Sequence, residues 1–84
     1  MVVKSEVEAQ FRRVAQEMGY TLAPLKDSLP LLESGLDSLS FAVIITRLEV
    51  RLGVDPFSDS ENVVFPLTYG ELVECYERAT VQPQ

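Results

Sequence analysis

The sequence predicts an all-α domain with an unusually long connection between its first two helices. Three observations predict it. Apolar residues recur at helical spacing in three segments. Residues that start helices stand before those segments, and glycine follows two of them. The chain has 84 residues, 46% of them hydrophobic, which suffices for one modest core and argues against disorder. Residues 1–84 are read as a single domain with a frayed tail at about 81–84.

The first helix is expected to open at Ser5, with Glu8 completing a capping box. Val7, Phe11, Val14, Ala15 and Met18 then share one face, and Gly19 stops the helix. Residues 20–36 form a long connection holding Pro24, Pro30 and Gly35. Its leucines, at 22, 25, 29, 31 and 32, predict an ordered loop packed over the core, with a helical turn in it. Loops of this length are uncommon and often functional.

Asp37 or Ser38 caps the second helix, which runs to about Leu52 and ends at Gly53. Phe41, Ile44, Ile45, Leu48 and Leu52 face the core. Leu39, Val43 and Val50 lie nearly opposite, with Ala42 and Thr46 alongside. A helix apolar on two sides is either buried all round or binds something, and a small domain buries little. The second stripe is therefore a candidate docking surface. Asp55-Pro56 predicts the start of a short helix, and Val63, Val64 and Phe65 are expected to pack inward before Pro66. Thr68 and Glu71 form another capping box ahead of a last helix from about Tyr69 to Ala79. Tyr69, Leu72, Val73, Tyr76 and Ala79 make its inner face.

Charge and side-chain inventory exclude several functions. The formal net charge is −6, and the excess lies in residues 53–84, where Arg78 faces Asp55, Asp59, Glu61, Glu71, Glu74 and Glu77. An acidic chain without a basic stripe is a poor nucleic-acid binder. No apolar run reaches the roughly 20 residues of a membrane span. Nothing resembles a signal peptide, and the single Cys75 has no disulfide partner, so a cytoplasmic protein is expected. With no histidine, Ser-His-Asp and Cys-His catalysis and His-containing zinc sites are impossible. Asp55, Asp59 and Glu61 fail as a calcium loop, because the sixth-position glycine and the final glutamate are missing. The chain is read as a non-enzyme with no metal site.

The remaining signal is Gly35-Leu36-Asp37-Ser38-Leu39 at the head of the second helix. A phosphate on Ser38 would face free backbone N–H groups and the positive end of the helix dipole. Asp and Ser are also ordinary caps, so the surroundings decide. The order is helix, leucine- and proline-containing loop, Leu32-Glu33-Ser34-Gly35-Leu36-Asp37-Ser38-Leu39, apolar helix, Leu52-Gly53-Val54, short segment, final helix. This resembles the acyl carrier protein family over essentially the whole chain.

The resemblance implies a four-helix bundle with a long loop between helices 1 and 2. It implies that Ser38 is esterified with 4′-phosphopantetheine, donated by coenzyme A through a magnesium-dependent phosphopantetheinyl transferase. Asp37 would help bind the transferase's metal, and Leu39 would help dock the transferase. The arm's thiol would carry an acyl or aminoacyl group as a thioester. The implied partners are that transferase, an acyl- or aminoacyl-activating ligase or synthetase, and downstream transferases. Met1 and the lack of linker-like stretches point to a free-standing, monomeric carrier, with an excised module of a larger synthase as the alternative.

One departure from the family pattern stands out. Carriers of primary fatty-acid synthesis have a strongly acidic second helix. Here Asp37 and Glu49 are balanced by Arg47 and Arg51. Docking through Leu39, Ala42, Val43, Thr46 and Val50 would then rest on apolar contact. That points to a specialised biosynthetic carrier for an amino acid, a polyketide or an unusual acyl chain. The reading from another class is an unmodified helical adaptor that binds a partner through the same stripe.

Overall fold

The computed structural model describes residues 2–57 and 66–81. Among them are three α-helices, α1 (Val3–Met18), α2 (Ser38–Leu52) and α3 (Tyr69–Val81), and a 3-10 turn at Leu31–Glu33. The all-α reading holds. A fourth helix is not among the described residues. The predicted start at Asp55-Pro56 is visible as far as Phe57, whose N–H donates to Asp55 Oδ1 at 3.1 Å. That is the bond an N-cap makes to the second helical residue. Val63, Val64 and Phe65 lie outside the described residues.

α1 packs against both α2 and α3. Val7, Phe11, Val14 and Ala15 from α1 are buried with Ile44 and Leu48 from α2 and Tyr69, Leu72, Val73 and Tyr76 from α3. Phe11 stands at their centre, edge-to-face with Tyr69 at 5.2 Å and with Phe41 at 6.1 Å. Such ring pairs contribute beyond the area they bury. Two ion pairs clamp α2 onto α1: Arg47 donates to both oxygens of Glu17, and Arg51 to both of Glu6.

The start of α1 corrects the sequence reading. The helix opens at Val3, not Ser5, and Val2 at its N-cap position makes no side-chain capping bond. Glu8 pairs with Arg12 one turn on, so the expected capping box is absent. The cause is packing: Val3 lies four residues before Val7 and rests on the core, and that contact extends the helix past the stronger cap. Gly19 ends α1 as expected, in the left-handed conformation. The Tyr20 N–H reaches back to the Ala15 carbonyl at 2.9 Å, closing a Schellman turn.

The long loop is ordered and fastened to α3. Leu31 N–H donates to Leu67 O, Tyr69 N–H to Leu29 O and Gly70 N–H to Asp27 O. Gly70 permits the last of these, since a Cβ there would come within 2.8 Å of Asp27 Cβ and 2.9 Å of its carbonyl oxygen. Leu29 and Leu36 are buried, and Leu22, Leu25 and Leu31 pack against the core. Leu32 points the other way and is 93% exposed, unlike the packed leucine the sequence reading expects. α3 begins in the predicted capping box: Thr68 Oγ1 accepts from Glu71 N–H, while Glu71 Oε1 accepts from Leu67 and Thr68 N–H. It runs to Val81, two residues beyond the expected end.

Candidate functional site

The loop delivers the chain to α2 through Gly35. Its φ of 96° lies in the region that favours glycine. A Cβ there would also collide with the Thr21 carbonyl oxygen. Ala23 N–H donates to Ser34 O beside it, so the two ends of the loop are stitched together just before the helix starts. Leu36 then turns into the core, and Asp37 is left outside at the N-cap.

Asp37 Oδ1 accepts from the Ser40 N–H at 2.8 Å and from Ser40 Oγ at 2.7 Å. Oδ2 accepts from the Tyr20 hydroxyl at 2.8 Å. The two bonds from Ser40, followed by the one from Tyr20, hold the Asp37 carboxyl below its ordinary range. The same carboxylate raises the Tyr20 phenol above its ordinary value. Between the two possible cap residues, Asp37 is the one that caps, and Ser38 is the first helical residue.

Ser38 is exposed, and its hydroxyl has no hydrogen-bond partner among the described residues. The neighbouring serines differ from it: Ser34, four residues earlier, and Ser40, two residues later, are fully buried, with hydroxyls donated to Leu31 O and Asp37. The N–H groups of Ser38 and Leu39 have no acceptor among the described residues, while those of Ser40 and Phe41 are taken by Asp37. Two free donors at a positive helix end suit a phosphodiester on Ser38 Oγ. The residues present therefore fit such a group.

Ser38 is among the residues that line an open groove of about 780 Å³. Phe41, Ala42 and Ile45 line it on the α2 side, and Leu31, Leu32 and Leu67 on the other. Ile45, expected in the core, is only partly buried and faces this groove.

The outer stripe of α2 is divided. Leu39 is 64% exposed and Val50 78%, and Ala42 and Thr46 are exposed between them. Val43 is not outward: it is partly buried and packs against the core, because it shares the α2 flank of Arg47, one turn on, which is bonded to Glu17 of α1. Arg47 and Arg51 are held by α1. Of the charges on α2, only Glu49 is outside such a pair.

Sequence reasoning missed Tyr20 and Ser40. Ser40 had a signal, since Asp-x-x-Ser places a hydroxyl three residues after a cap. Tyr20 had none, as it meets Asp37 across 17 residues of loop. Gln10, polar and buried on α1, was missed as well; it donates to Glu6 at 2.9 Å. Tyr69 and Tyr76 are not acids at neutral pH: burial pushes the Tyr69 phenol up to about 12 and Tyr76 higher still.

Among the described residues, no helix is long and apolar enough to cross a membrane. A family model described as the phosphopantetheine attachment site matches residues 12–60. The match spans more than half the chain and includes all of Gly35–Ser40 and α2. No curated protein and no solved structure matches the chain.

Proposed function

The chain belongs to the phosphopantetheine attachment-site family, and we propose that Ser38 is its attachment residue. Covalent 4′-phosphopantetheine is the family's cofactor, and the protein is a phosphopantetheine carrier. Domains of this kind are typically non-catalytic and work with a phosphopantetheinyl transferase and acyl-handling enzymes. The observation that carries the assignment to Ser38 is its exposed, unengaged hydroxyl at the first position of α2, between two serines whose hydroxyls are buried and engaged. Asp37 orders the turn from one side, and Leu39 offers an apolar contact on the other.

When bound, the arm supplies a terminal thiol that holds acyl or aminoacyl cargo as a thioester. The protein's own part is to hold the arm on a rigid helix end and present it to successive partners. Tethering replaces diffusion with a high effective concentration, and the hard chemistry belongs to the cofactor and the partner enzymes. The groove beside Ser38 supports a cargo with an apolar portion.

The pathway is a specialised one, not primary fatty-acid synthesis. What supports this is the charge layout of α2. Its two arginines are engaged by α1, and its outward face is Leu39, Ala42, Thr46 and Val50 beside Glu49. The loading ligase and downstream transferases would meet that face through apolar contact. The carrier acts in the cytoplasm as a monomer.

The test is intact mass before and after incubation with coenzyme A, magnesium and a promiscuous phosphopantetheinyl transferase. The expected result is a gain of one phosphopantetheine, absent in Ser38→Ala. A well-folded wild type that gains nothing refutes the assignment and returns the weight to an unmodified adaptor.

A further inference from the structure

We propose that Tyr20 and Ser40 are positioning residues for the modification of Ser38, acting through the Asp37 carboxylate. The proposal rests on Ser38 being the attachment residue. A helix cap needs one bond, from the Asp37 side chain to the Ser40 N–H, and that bond is present at 2.8 Å. The carboxylate receives two more donors that satisfy no orphan backbone group: Ser40 Oγ at 2.7 Å on one oxygen and Tyr20 Oη at 2.8 Å on the other. Capping does not account for them.

Both donors are anchored elsewhere. Ser40 is fully buried, and its Oγ lies 2.9 Å from Met18 Sδ in the last turn of α1. Its single proton goes to the charged acceptor, and the sulfur packs against the oxygen. Tyr20 is fixed by its N–H bond to Ala15 O, in the turn that closes α1. The Asp37 carboxylate thus ties the end of α1 to the start of α2. The residue directly after it is Ser38.

Group transfer needs that geometry. The Ser38 Oγ–phosphorus bond forms as the pyrophosphate P–O bond of coenzyme A breaks. The nucleotide 3′,5′-bisphosphate leaves, and the Oγ proton passes to a base outside this chain. Because that base and the cosubstrate sit on another protein, the carrier must present Oγ already in position. Three donors from two elements stop the carboxylate from rotating. Together with the Phe41 N–H to Asp37 O bond at 3.1 Å, they fix the backbone and leave the serine side chain free.

The test is steady-state kinetics of a purified phosphopantetheinyl transferase with the whole carrier as the varied substrate, using wild type, Tyr20→Phe, Ser40→Ala and Ser38→Ala. Thermal melting and amide hydrogen exchange are measured on the same samples. Tyr20→Phe removes one hydroxyl and is expected to lower kcat roughly fivefold, the worth of one hydrogen bond, with KM unchanged and only a small drop in melting temperature. Exchange of the Ser40 amide, which Asp37 holds, is expected to quicken by a similar factor. An unchanged kcat, or a change in KM alone, overturns the positioning role, the latter making Tyr20 a contact for the transferase. A slower kcat with unaltered Ser40 exchange overturns the route through Asp37. Product from Ser38→Ala, or none from wild type, overturns the attachment reading and this one with it, so the two failures are distinguishable.

Discussion

α2 and α3 start in the same way and are used differently. Each follows a capping residue whose side chain takes the N–H three residues on. At α3 the motif closes on itself, because Glu71 reaches back to the N–H groups of Leu67 and Thr68. At α2 nothing reaches back. The third residue is a serine, which turns to Asp37 instead, and the first N–H groups of the helix stay free beside an exposed Ser38. The same local signal is structural at one helix and, on the proposed reading, functional at the other. What separates them is the side chain left unengaged and the groove beside it.

The largest expected effect breaks that comparison outright. Ser38→Ala should abolish attachment of the arm in the mass assay and leave the melting temperature near wild type, since the hydroxyl supports nothing in the fold. Next comes the residue that delivers the chain to α2. Gly35→Ala forces a side chain into a positive-φ position and against the Thr21 carbonyl, so denaturant unfolding should show a loss of about 1–3 kcal/mol from the backbone alone. Gly19→Ala is its control: φ is 75° there, but nothing lies within 4 Å of the added Cβ. The excess loss at Gly35 measures the close approach of the loop to the Thr21 carbonyl just ahead of α2.

A third variant addresses the exposed face. Leu39→Asp places a charge where a partner would meet leucine, and should slow modification roughly tenfold with little change in stability, as for a buried interface anchor. Val50→Asp is the matching probe at the far end of α2. Val43 is unsuitable, because its side chain packs on the core and a carboxylate there would disturb the fold. At α3 the outcome reverses. Thr68→Ala should cost about 1 kcal/mol in chemical denaturation and leave modification kinetics unchanged.

The parts of the fold legible in the sequence were those fixed by local chemistry. Gly19 and Gly53 end their helices, α2 opens at the Asp37-Ser38 pair, and Thr68 with Glu71 starts α3, because each of these needs only neighbours within a turn. The start of α1 was misread because a long-range contact of Val3 outweighs the local signal at Ser5. Leu32 was misplaced for the opposite reason: the 3-10 turn rotates it away from its neighbour Leu31, and residue type alone does not give that rotation. At the proposed site, Asp37, Ser38 and Leu39 come from the resemblance carried by residues 32–39 and not from any one residue. The Tyr20 contact could not be read from the sequence, because it exists only once the loop has brought both ends together.

The smallest expected effect is one of pH, and it belongs to the α2 cap. The Asp37 carboxyl is held below its ordinary value by the Ser40 amide, the Ser40 hydroxyl and the Tyr20 hydroxyl. A carboxyl whose folded pKa is depressed adds stability in its charged form. That contribution is complete above the unfolded value of about 3.9 and is lost as pH falls through the lower folded value. Asp37→Asn keeps a capping oxygen but not the charge. Its melting temperature should therefore lie below wild type by a constant margin from pH 7 down to about 5, and the two curves should converge in stronger acid. Tyr20→Phe should lose its own small effect on stability over the same window, because its hydroxyl acts on the charged form of the same group. Convergence of one pair without the other would mean that Tyr20 and Asp37 contribute separately, and the link between the ends of α1 and α2 would then rest on Ser40 alone.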